Sequence, residues 1–309
     1  MTRPTLLVGQ PLLAPLVPLL QQDHDVMILW DRPSADRLAT VDALVWAGEF
    51  PLERELLDAM PRLSLIACFT VGYDGVDLDL ARERGIAVTH AGDANAEDVA
   101  DHAIGLMLAH RRWIVEGDRH LRAGRWTIEA KTRTRSMGGA RLGIVGMGAI
   151  GVAVAERAAA MKMRIGWWGP RDKPHLPWRR ADSLEALARD SDILLIACKA
   201  DESNRRMIAA PVMEALGGDG LLVNVARGQL VDEEALVAAL KGGRLGGAAI
   251  DVFDPEPTDP ARWADVPNVV LTPHTGGATH EAVARMAQML MGNLSAHFAG
   301  EPLPTPVLA

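Results

Sequence analysis

The sequence predicts an α/β fold built from two doubly wound domains, each with a parallel β-sheet covered by helices on both faces. The first observation is an alternation of short apolar runs with helical patterns, which occurs in two separate series along the chain. The second is the length of 309 residues, which exceeds the size at which a single hydrophobic core keeps growing. Two domains, each with its own core, account for both observations.

The first series of strands lies in the N-terminal third of the chain. Its members are short apolar runs: Leu6 to Val8, Val26 to Trp30, Ala43 to Trp46, Leu63 to Phe69 and Ile86 to Thr89. From Asp98 to Arg112 the apolar residues recur at helical spacing, which predicts a long helix leading out of this series.

The second series begins after a polar and basic segment, Gly124 to Gly139, which includes Lys131 and is expected to be an exposed connection. Its strands are predicted at Leu142 to Val145, Arg164 to Trp168, Ile193 to Cys198, Leu221 to Val225, Ala248 to Val252 and Val269 to Leu271. A final helix is predicted from Glu281 to Phe298, and its methionine-rich apolar surface favours packing back on the first domain.

Composition and charge argue against several classes of function. The formal net charge of -8 is unfavourable for binding a phosphate backbone, so we expect no nucleic-acid partner. Cys68 and Cys198 lie in apolar stretches without metal-ligand spacing, which favours free thiols in a reducing cytoplasm over a disulfide or a metal site. No uninterrupted apolar span of about 20 residues occurs, so we expect no membrane span.

The sharpest local signal is a glycine-rich turn, Gly146-Met147-Gly148-Ala149-Ile150-Gly151, between a predicted strand and a predicted helix. In dinucleotide-binding turns the first glycine allows a tight turn and the second lets the backbone approach a pyrophosphate. The third permits close packing of helix on strand, and the helix N-terminus faces the phosphate charge. The motif in this context predicts a Rossmann-type dinucleotide site, with Ala149 and Ile150 in the same turn.

The end of the following strand bears on which dinucleotide is bound. NAD-specific sites usually place an acidic residue there for the ribose hydroxyls. Here the strand is followed by Arg171, Asp172 and Lys173, and the two cations suit the 2′-phosphate of NADP. The pattern therefore favours NADP(H), while Asp172 leaves NAD(H) open.

Three polar residues follow apolar strands of the second series, where ligand sites of open α/β sheets gather. They are Arg227, Glu256 and His274. Reduction of a 2-keto acid needs a cation that holds the carboxylate and polarises the carbonyl, which suits Arg227, and a proton donor, which suits His274. A carboxylate such as Glu256 would favour the imidazolium and fix its orientation. Taken singly, Arg227 is better explained as a surface ion pair, Glu256 as a loop charge and His274 as a hydrogen-bonded histidine near a turn.

Taken together in this order, the motifs resemble the D-isomer-specific 2-hydroxyacid dehydrogenases over nearly the whole chain. The likeness rests on Val71-Gly72-Tyr73-Asp74-Gly75-Val76-Asp77, Asp98-Val99-Ala100-Asp101, the glycine turn, Asn224-Val225-Ala226-Arg227-Gly228, Asp251-Val252-Phe253 with Glu256-Pro257, and Pro273-His274. The resemblance implies a split substrate domain, residues 1–98 with a returning tail at 286–309, and an inserted Rossmann domain at 99–285. It also implies an active site in the cleft between the two domains.

The resemblance further implies roles for single residues. The N–H groups of Val71 and Gly72 would hold the substrate carboxylate, together with Arg227 and His274. Further contacts to the cofactor are implied for Cys198, Ala226, Asp251, Gly276 and Gly277, with Asp251 at the nicotinamide amide and the two glycines lining the nicotinamide pocket.

Within the family, the chain is most similar to the glyoxylate and hydroxypyruvate reductases, and a homodimer is implied. A dehydrogenase of another D-2-hydroxy acid, of 3-phosphoglycerate or of formate remains an alternative on the same fold. A non-catalytic, dinucleotide-sensing protein is an alternative of another class.

Overall fold

The computed structural model describes residues 3–129 and 133–308. Within them the chain forms two compact units, one made of 3–95 with 280–308 and the other of 96–129 with 133–279. Lys131 of the basic segment lies outside the described residues. The boundaries expected at residues 98 and 285 fall inside two helices, Ala96–Arg111 and His280–Ala299, and each helix belongs whole to one unit.

The strands are numbered here in chain order. In the described ranges they are β1 (Thr5–Val8), β2 (Asp25–Ile28), β3 (Ala43–Trp46), β4 (Leu65–Cys68), β5 (Ala87–Thr89), β6 (Arg141–Val145), β7 (Arg164–Trp168), β8 (Arg179–Arg180), β9 (Ile193–Ile196), β10 (Leu221–Asn224), β11 (Gly247–Ile250), β12 (Val269–Leu271) and β13 (Pro306–Leu308).

The α-helices follow the same convention. They are α1 (Val17–Leu20), α2 (Ala35–Leu38), α3 (Arg54–Asp58), α4 (Leu78–Glu83), α5 (Ala96–Arg111), α6 (Ile114–Arg122), α7 (Ala149–Ala160), α8 (Leu184–Arg189), α9 (Ala210–Leu216), α10 (Glu233–Lys241), α11 (Pro260–Trp263) and α12 (His280–Ala299). Short 3₁₀ helices occupy Pro11–Leu16, Leu29–Asp31, Glu202–Asn204 and Gly228–Leu230. No helix of the described chain is both long and apolar enough to cross a membrane.

The first unit contains a six-stranded sheet in the order β13-β5-β4-β3-β1-β2. Five strands are parallel, and β13 joins the edge antiparallel to β5. Parallel strands covered on both faces are continuously apolar, and Leu6, Leu7 and Val8 of β1 are fully buried. The C-terminal helix α12 packs on one face of this sheet, with Met286 and Leu290 in the core.

The second unit contains seven parallel strands in the order β12-β11-β10-β9-β6-β7-β8. The chain runs outward from β6 through β7 to β8, then returns to the other side of β6 at β9. This reversal of direction opens a crevice at the carboxyl ends of β6 and β9, which is where doubly wound sheets bind ligands. The α/β fold with two parallel sheets predicted from the sequence is thus confirmed.

Some predicted elements differ at their ends. The strand expected to run to Trp30 stops at Ile28, because Leu29–Asp31 turns into a 3₁₀ helix that ends at Arg32 in the left-handed region, with a φ of 54°. The strand expected from Leu63 begins at Leu65, because the Leu63 N–H bonds back to the Met60 carbonyl in a turn.

Candidate active site

The glycine-rich turn lies between β6 and α7, at the point where the strand order reverses. Gly146 has a φ of 93°, and a Cβ there would lie 2.5 Å from the Cα of Cys198, so no other residue fits. A Cβ at Gly151 would lie 2.1 Å from the Gly146 carbonyl oxygen. Gly148 caps α7 without a side-chain hydrogen bond and faces open space. Free helix N–H groups beside open space fit a dinucleotide pyrophosphate.

Two neighbours of this turn were expected to contact the cofactor. The Cys198 backbone packs against Gly146, and burial raises the pKa of the Cys198 thiol to about 11, so the thiol stays protonated. Ala226 is buried, and its N–H donates to the Asn224 side-chain oxygen at 3.1 Å. Both residues therefore lie at the carboxyl edge of the same sheet, where they offer contact surface rather than reactive groups.

The cationic residues after β7 differ in position. Arg171 is exposed to solvent. Lys173 is half-buried, and its Nζ donates to the carbonyl oxygen of Met147 at 2.6 Å. Lys173 is thus held against the glycine-rich turn, while the Arg171 guanidinium remains accessible from solvent. The Asp172 carboxylate accepts a hydrogen bond from the Lys173 backbone N–H at 2.9 Å.

Glu256 and His274 form an ion pair at the ends of β11 and β12. The Nδ1 of His274 lies 2.7 Å from Glu256 Oε2, and Glu256 Oε1 accepts the Phe253 N–H at 2.9 Å. The Glu256 hydrogen bond raises the pKa of His274, although burial opposes it. Burial would raise the pKa of Glu256, but the hydrogen bonds from His274 and Phe253 outweigh it and lower the pKa. The pair therefore favours an imidazolium that is held through its Nδ1.

Arg227 belongs to the same group of side chains. Its positive charge contributes to the low pKa of Glu256 and opposes the rise in the pKa of His274, so the three groups lie within electrostatic range. The following residue, Gly228, touches the next loop so closely that a Cβ would lie 1.9 Å from the Phe253 carbonyl carbon. This contact brings the Arg227 turn against the loop that carries Glu256.

Asp251 lies beneath these residues and is almost fully buried. Its Oδ1 accepts the Thr275 N–H and its Oδ2 accepts the Gly276 N–H, both at 2.9 Å. A Cβ at Gly276 would lie 2.9 Å from Asp251 Oδ2, so the backbone can approach the carboxylate only because this residue is glycine. Gly277 follows, half-buried. Asp251 therefore anchors the segment after β12. The role expected for Asp251 was contact with the nicotinamide amide, and this anchoring role is additional to it.

Val71 and Gly72 belong to the other unit, directly after β4. The Val71 carbonyl accepts a hydrogen bond from His90 Nδ1 at 3.1 Å, and the Thr70 hydroxyl accepts the Gly48 N–H at 2.9 Å. Within 3–129 and 133–308, no protein acceptor pairs with the N–H of Val71 or of Gly72. The turn is thus fixed by its carbonyl and side-chain oxygens.

A protein-family model matches most of the second unit. Residues 104–276 match the family model for the D-isomer specific 2-hydroxyacid dehydrogenase, NAD binding domain. This range covers more than half of the chain. The chain belongs to the D-isomer-specific 2-hydroxyacid dehydrogenase family.

Several relatives of this dehydrogenase match it over nearly its whole length. A hydroxyphenylpyruvate reductase of Plectranthus scutellarioides is 41% identical, over 97% of this chain and 99% of the relative. A glyoxylate/hydroxypyruvate reductase A of Arabidopsis thaliana is 40% identical over 94% of each chain. The crystal structure of an NADPH-dependent glyoxylate/hydroxypyruvate reductase from Sinorhizobium meliloti, in complex with NADP and malonate, is 35% identical. It superposes with a TM-score of 0.92 over 99% of this chain and 97% of that one.

The dehydrogenase is therefore an NAD(P)-dependent oxidoreductase of 2-hydroxy and 2-keto acids. Its structure also shows supporting residues to which the sequence assigned no role. Asn224, which is buried, donates from Nδ2 to the Arg227 carbonyl at 2.9 Å and so fixes the turn that presents Arg227. Its position within the Asn224 to Gly228 motif was the available signal. His102 and Thr272, which contact Asp251, lie directly beside the Asp98 to Asp101 and Pro273-His274 motifs but outside them, so the motifs gave them no role.

Proposed function

We propose that this dehydrogenase reduces small 2-keto acids with NAD(P)H, converting glyoxylate to glycolate and hydroxypyruvate to D-glycerate. The observation that carries the proposal is the grouping of Arg227 with the Glu256 and His274 ion pair at the carboxyl edge of one sheet. A guanidinium and an imidazolium within electrostatic range of each other provide the anion binding and the proton that such a reduction consumes.

The cofactor would be held by the turn of Gly146 and Gly148 and by the N-terminus of α7. When bound, reduced nicotinamide supplies the hydride that adds to C2 of the keto acid. His274 Nε2 gives its proton to the carbonyl oxygen, which becomes the hydroxyl, and Glu256 stabilises the imidazolium beforehand. Arg227 binds the carboxylate and polarises the carbonyl. We also propose that the N–H groups of Val71 and Gly72 bind a substrate carboxylate.

The choice of glyoxylate and hydroxypyruvate is supported by the names of the Arabidopsis and Sinorhizobium relatives. The Plectranthus relative is named as a hydroxyphenylpyruvate reductase, so an aromatic keto acid is the main alternative substrate. Initial rates with glyoxylate, hydroxypyruvate, hydroxyphenylpyruvate and 3-phosphohydroxypyruvate, and with formate and NAD(P)⁺, would separate these cases. We expect the two small keto acids to give the highest kcat/KM, with D-glycerate as the product of hydroxypyruvate. Activity confined to the aromatic or phosphorylated acid, or to formate, would refute the assignment.

We propose that NADP(H) is the preferred cofactor, through Arg171 and Lys173. Replacing Arg171 with alanine should raise the KM for NADPH by about 10-fold, equivalent to ~1.4 kcal/mol, and leave the KM for NADH unchanged. The reason is that only NADPH carries the 2′-phosphate that a solvent-accessible guanidinium can bind. Arg189→Ala, at the end of α8, is the matched control and should change neither constant. Equal effects on both cofactors would show that Arg171 does not recognise the 2′-phosphate.

The ion pair predicts a shift in pH dependence. Keto-acid reduction needs protonated His274, so kcat/KM should fall as pH rises through the pKa of His274. Because the Glu256 hydrogen bond raises the pKa of His274, Glu256→Gln should move the fall in kcat/KM to lower pH. Glu116→Gln, which removes a helix-surface carboxylate paired with Arg119, should leave the profile in place. An unshifted profile in Glu256→Gln would contradict the role of Glu256.

We further propose that the enzyme works in the cytoplasm as a homodimer. Apolar side chains in α6 and the segment that follows it expose more than half of their surface: Ile114 (56%), Leu121 (59%), Trp126 (64%) and Ile128 (70%). A self-complementary contact would remove this surface from water. Sedimentation equilibrium of the purified chain tests this, and a purely monomeric species would exclude it.

A further inference from the structure

A second histidine lies in the same unit as His274 and is not needed for proton transfer. His102, on α5, reaches the end of β12 with its ring Nε2. This atom lies 3.0 Å from the Thr272 hydroxyl and 3.2 Å from Asp251 Oδ1. The contact joins the long helix that opens the unit to the two strand ends that carry Glu256 and His274.

The donor and the acceptor of each of these hydrogen bonds can be assigned, starting from the Asp251 carboxylate. Thr272 donates its hydroxyl proton to Asp251 Oδ1 at 2.5 Å, since an ionised carboxylate can only accept. The Thr272 oxygen must therefore accept from His102, whose proton sits on Nε2. Burial would raise the pKa of Asp251, but hydrogen bonds from His102, Thr272 and two backbone N–H groups lower it to about 2. The carboxylate is thus charged, and these donors keep it so.

The same carboxylate holds the segment that carries His274. Its two oxygens accept the N–H groups of Thr275 and Gly276, and the Asp251 carbonyl accepts the His274 N–H at 2.8 Å. His274 itself has a φ of 52°, in the left-handed region that residues with a side chain adopt reluctantly. Such a conformation persists where neighbouring contacts determine it, and here those contacts converge on Asp251.

We propose that His102 is a positioning residue, which orients the Asp251 carboxylate through its Nε2–H and thereby fixes the segment that presents His274 to the substrate. It touches neither substrate nor cofactor in this role. The Nε2–H donates to the Thr272 hydroxyl oxygen and is also the third donor to Asp251 Oδ1. Without it, the carboxylate can rotate and the bonds to Thr275 and Gly276 loosen. The inference rests on the proposed function only in the part that concerns catalysis.

The test uses substitutions that separate the hydrogen bond from the ring. Glutamine places an amide N–H as many bonds from Cα as His Nε2, whereas asparagine places one at the position of Nδ1. Leucine fills similar space and donates nothing. Gly105→Ala, on the same helix, is the matched control, because its Cβ meets no atom within 4 Å.

The first readout is amide hydrogen exchange of the cofactor-free protein. His102→Leu and His102→Asn should speed exchange at Thr275 and Gly276 by about 10-fold, while His102→Gln and Gly105→Ala should resemble the parent chain. Exchange needs no turnover, so this result stands even if the proposed substrates prove wrong. Unchanged exchange in the Leu and Asn variants, or glutamine behaving like asparagine, would overturn the inference.

The second readout is steady-state kinetics. His102→Leu and His102→Asn should lower kcat by about 10- to 100-fold, since a small misplacement of a catalytic group has effects of that size, and leave the KM for the keto acid little changed. His102→Gln should restore most of kcat. If His102→Leu does not fold, the comparison of asparagine with glutamine decides the case alone. Equal kcat values for those two variants would show that the Nε2 position carries no positioning role.

Discussion

Replacing His274 with alanine should lower kcat for keto-acid reduction by about 1,000-fold, within the range that general acid catalysis contributes in enzymes. The carbonyl oxygen gains negative charge as the hydride arrives, and without a proton donor that charge is not neutralised. NAD(P)H binding should survive, because the glycine turn and α7 hold the dinucleotide without this side chain. Stopped-flow or steady-state rates, combined with a fluorescence titration of NAD(P)H, measure both quantities.

His274→Asn is the informative control for this prediction. The asparagine amide lies where Nδ1 of the imidazole lies, so it can still donate to Glu256 and keep the loop in place, but it has no acid at the position of Nε2. We expect it to be as inactive as His274→Ala. Recovery of activity in the asparagine variant would mean that the imidazole maintains the loop and does not supply the proton. A large loss of cofactor affinity in both variants would assign His274 to dinucleotide binding.

Replacing Arg227 with alanine should lower kcat/KM by about 100- to 1,000-fold, the loss expected when one preorganised donor to a developing charge is removed. The KM for the keto acid should rise as well, because the guanidinium binds the carboxylate in the ground state. Arg227→Lys keeps the charge without the planar fork and should recover only part of the activity. Initial rates over a range of keto-acid concentrations separate the two constants.

A matched control for Arg227 lies far from the carboxyl edge of the sheet. Arg244 is an exposed arginine paired with Glu214 at 3.9 Å, and Arg244→Ala should leave both constants unchanged. Removing Arg227 also removes a positive charge that opposes the protonation of His274, so the pH profile of Arg227→Ala should extend to higher pH. A variant with the parent kcat/KM would exclude Arg227 from the active site.

The parts of the fold that the sequence predicted are those governed by continuous apolar runs. β3 agrees with the expected range to the residue, because burial of the whole strand on both faces of a parallel sheet requires uninterrupted apolar side chains. The glycine-rich turn was also predicted from the sequence. The contacts of Gly146 and Gly151 leave no room for a Cβ, so these positions require glycine and the motif is visible in the sequence.

The parts that the sequence did not predict depend on partners distant in the chain. β8 is two exposed arginines, and only its pairing with β7 makes it a strand. β13 pairs antiparallel with β5, more than 200 residues earlier, and starts with a proline that fits an edge strand. His102 directly follows the Asp98 to Asp101 motif, but no role could be assigned to it from the sequence, because its importance comes from Thr272 and Asp251, which reach it only after folding.

The most direct test of the account measures binding and turnover in one preparation of the purified chain. NADPH affinity is determined by titration, and oxidation of the same NADPH is then followed after addition of hydroxypyruvate or glyoxylate. We predict tight binding followed by steady oxidation, with the hydroxy acid formed in equal amount, and no oxidation in His274→Asn. Tight NADPH binding with no oxidation of NADPH by any 2-keto acid would contradict the proposed reductase function. It would favour a protein that senses the dinucleotide without catalysing a reaction.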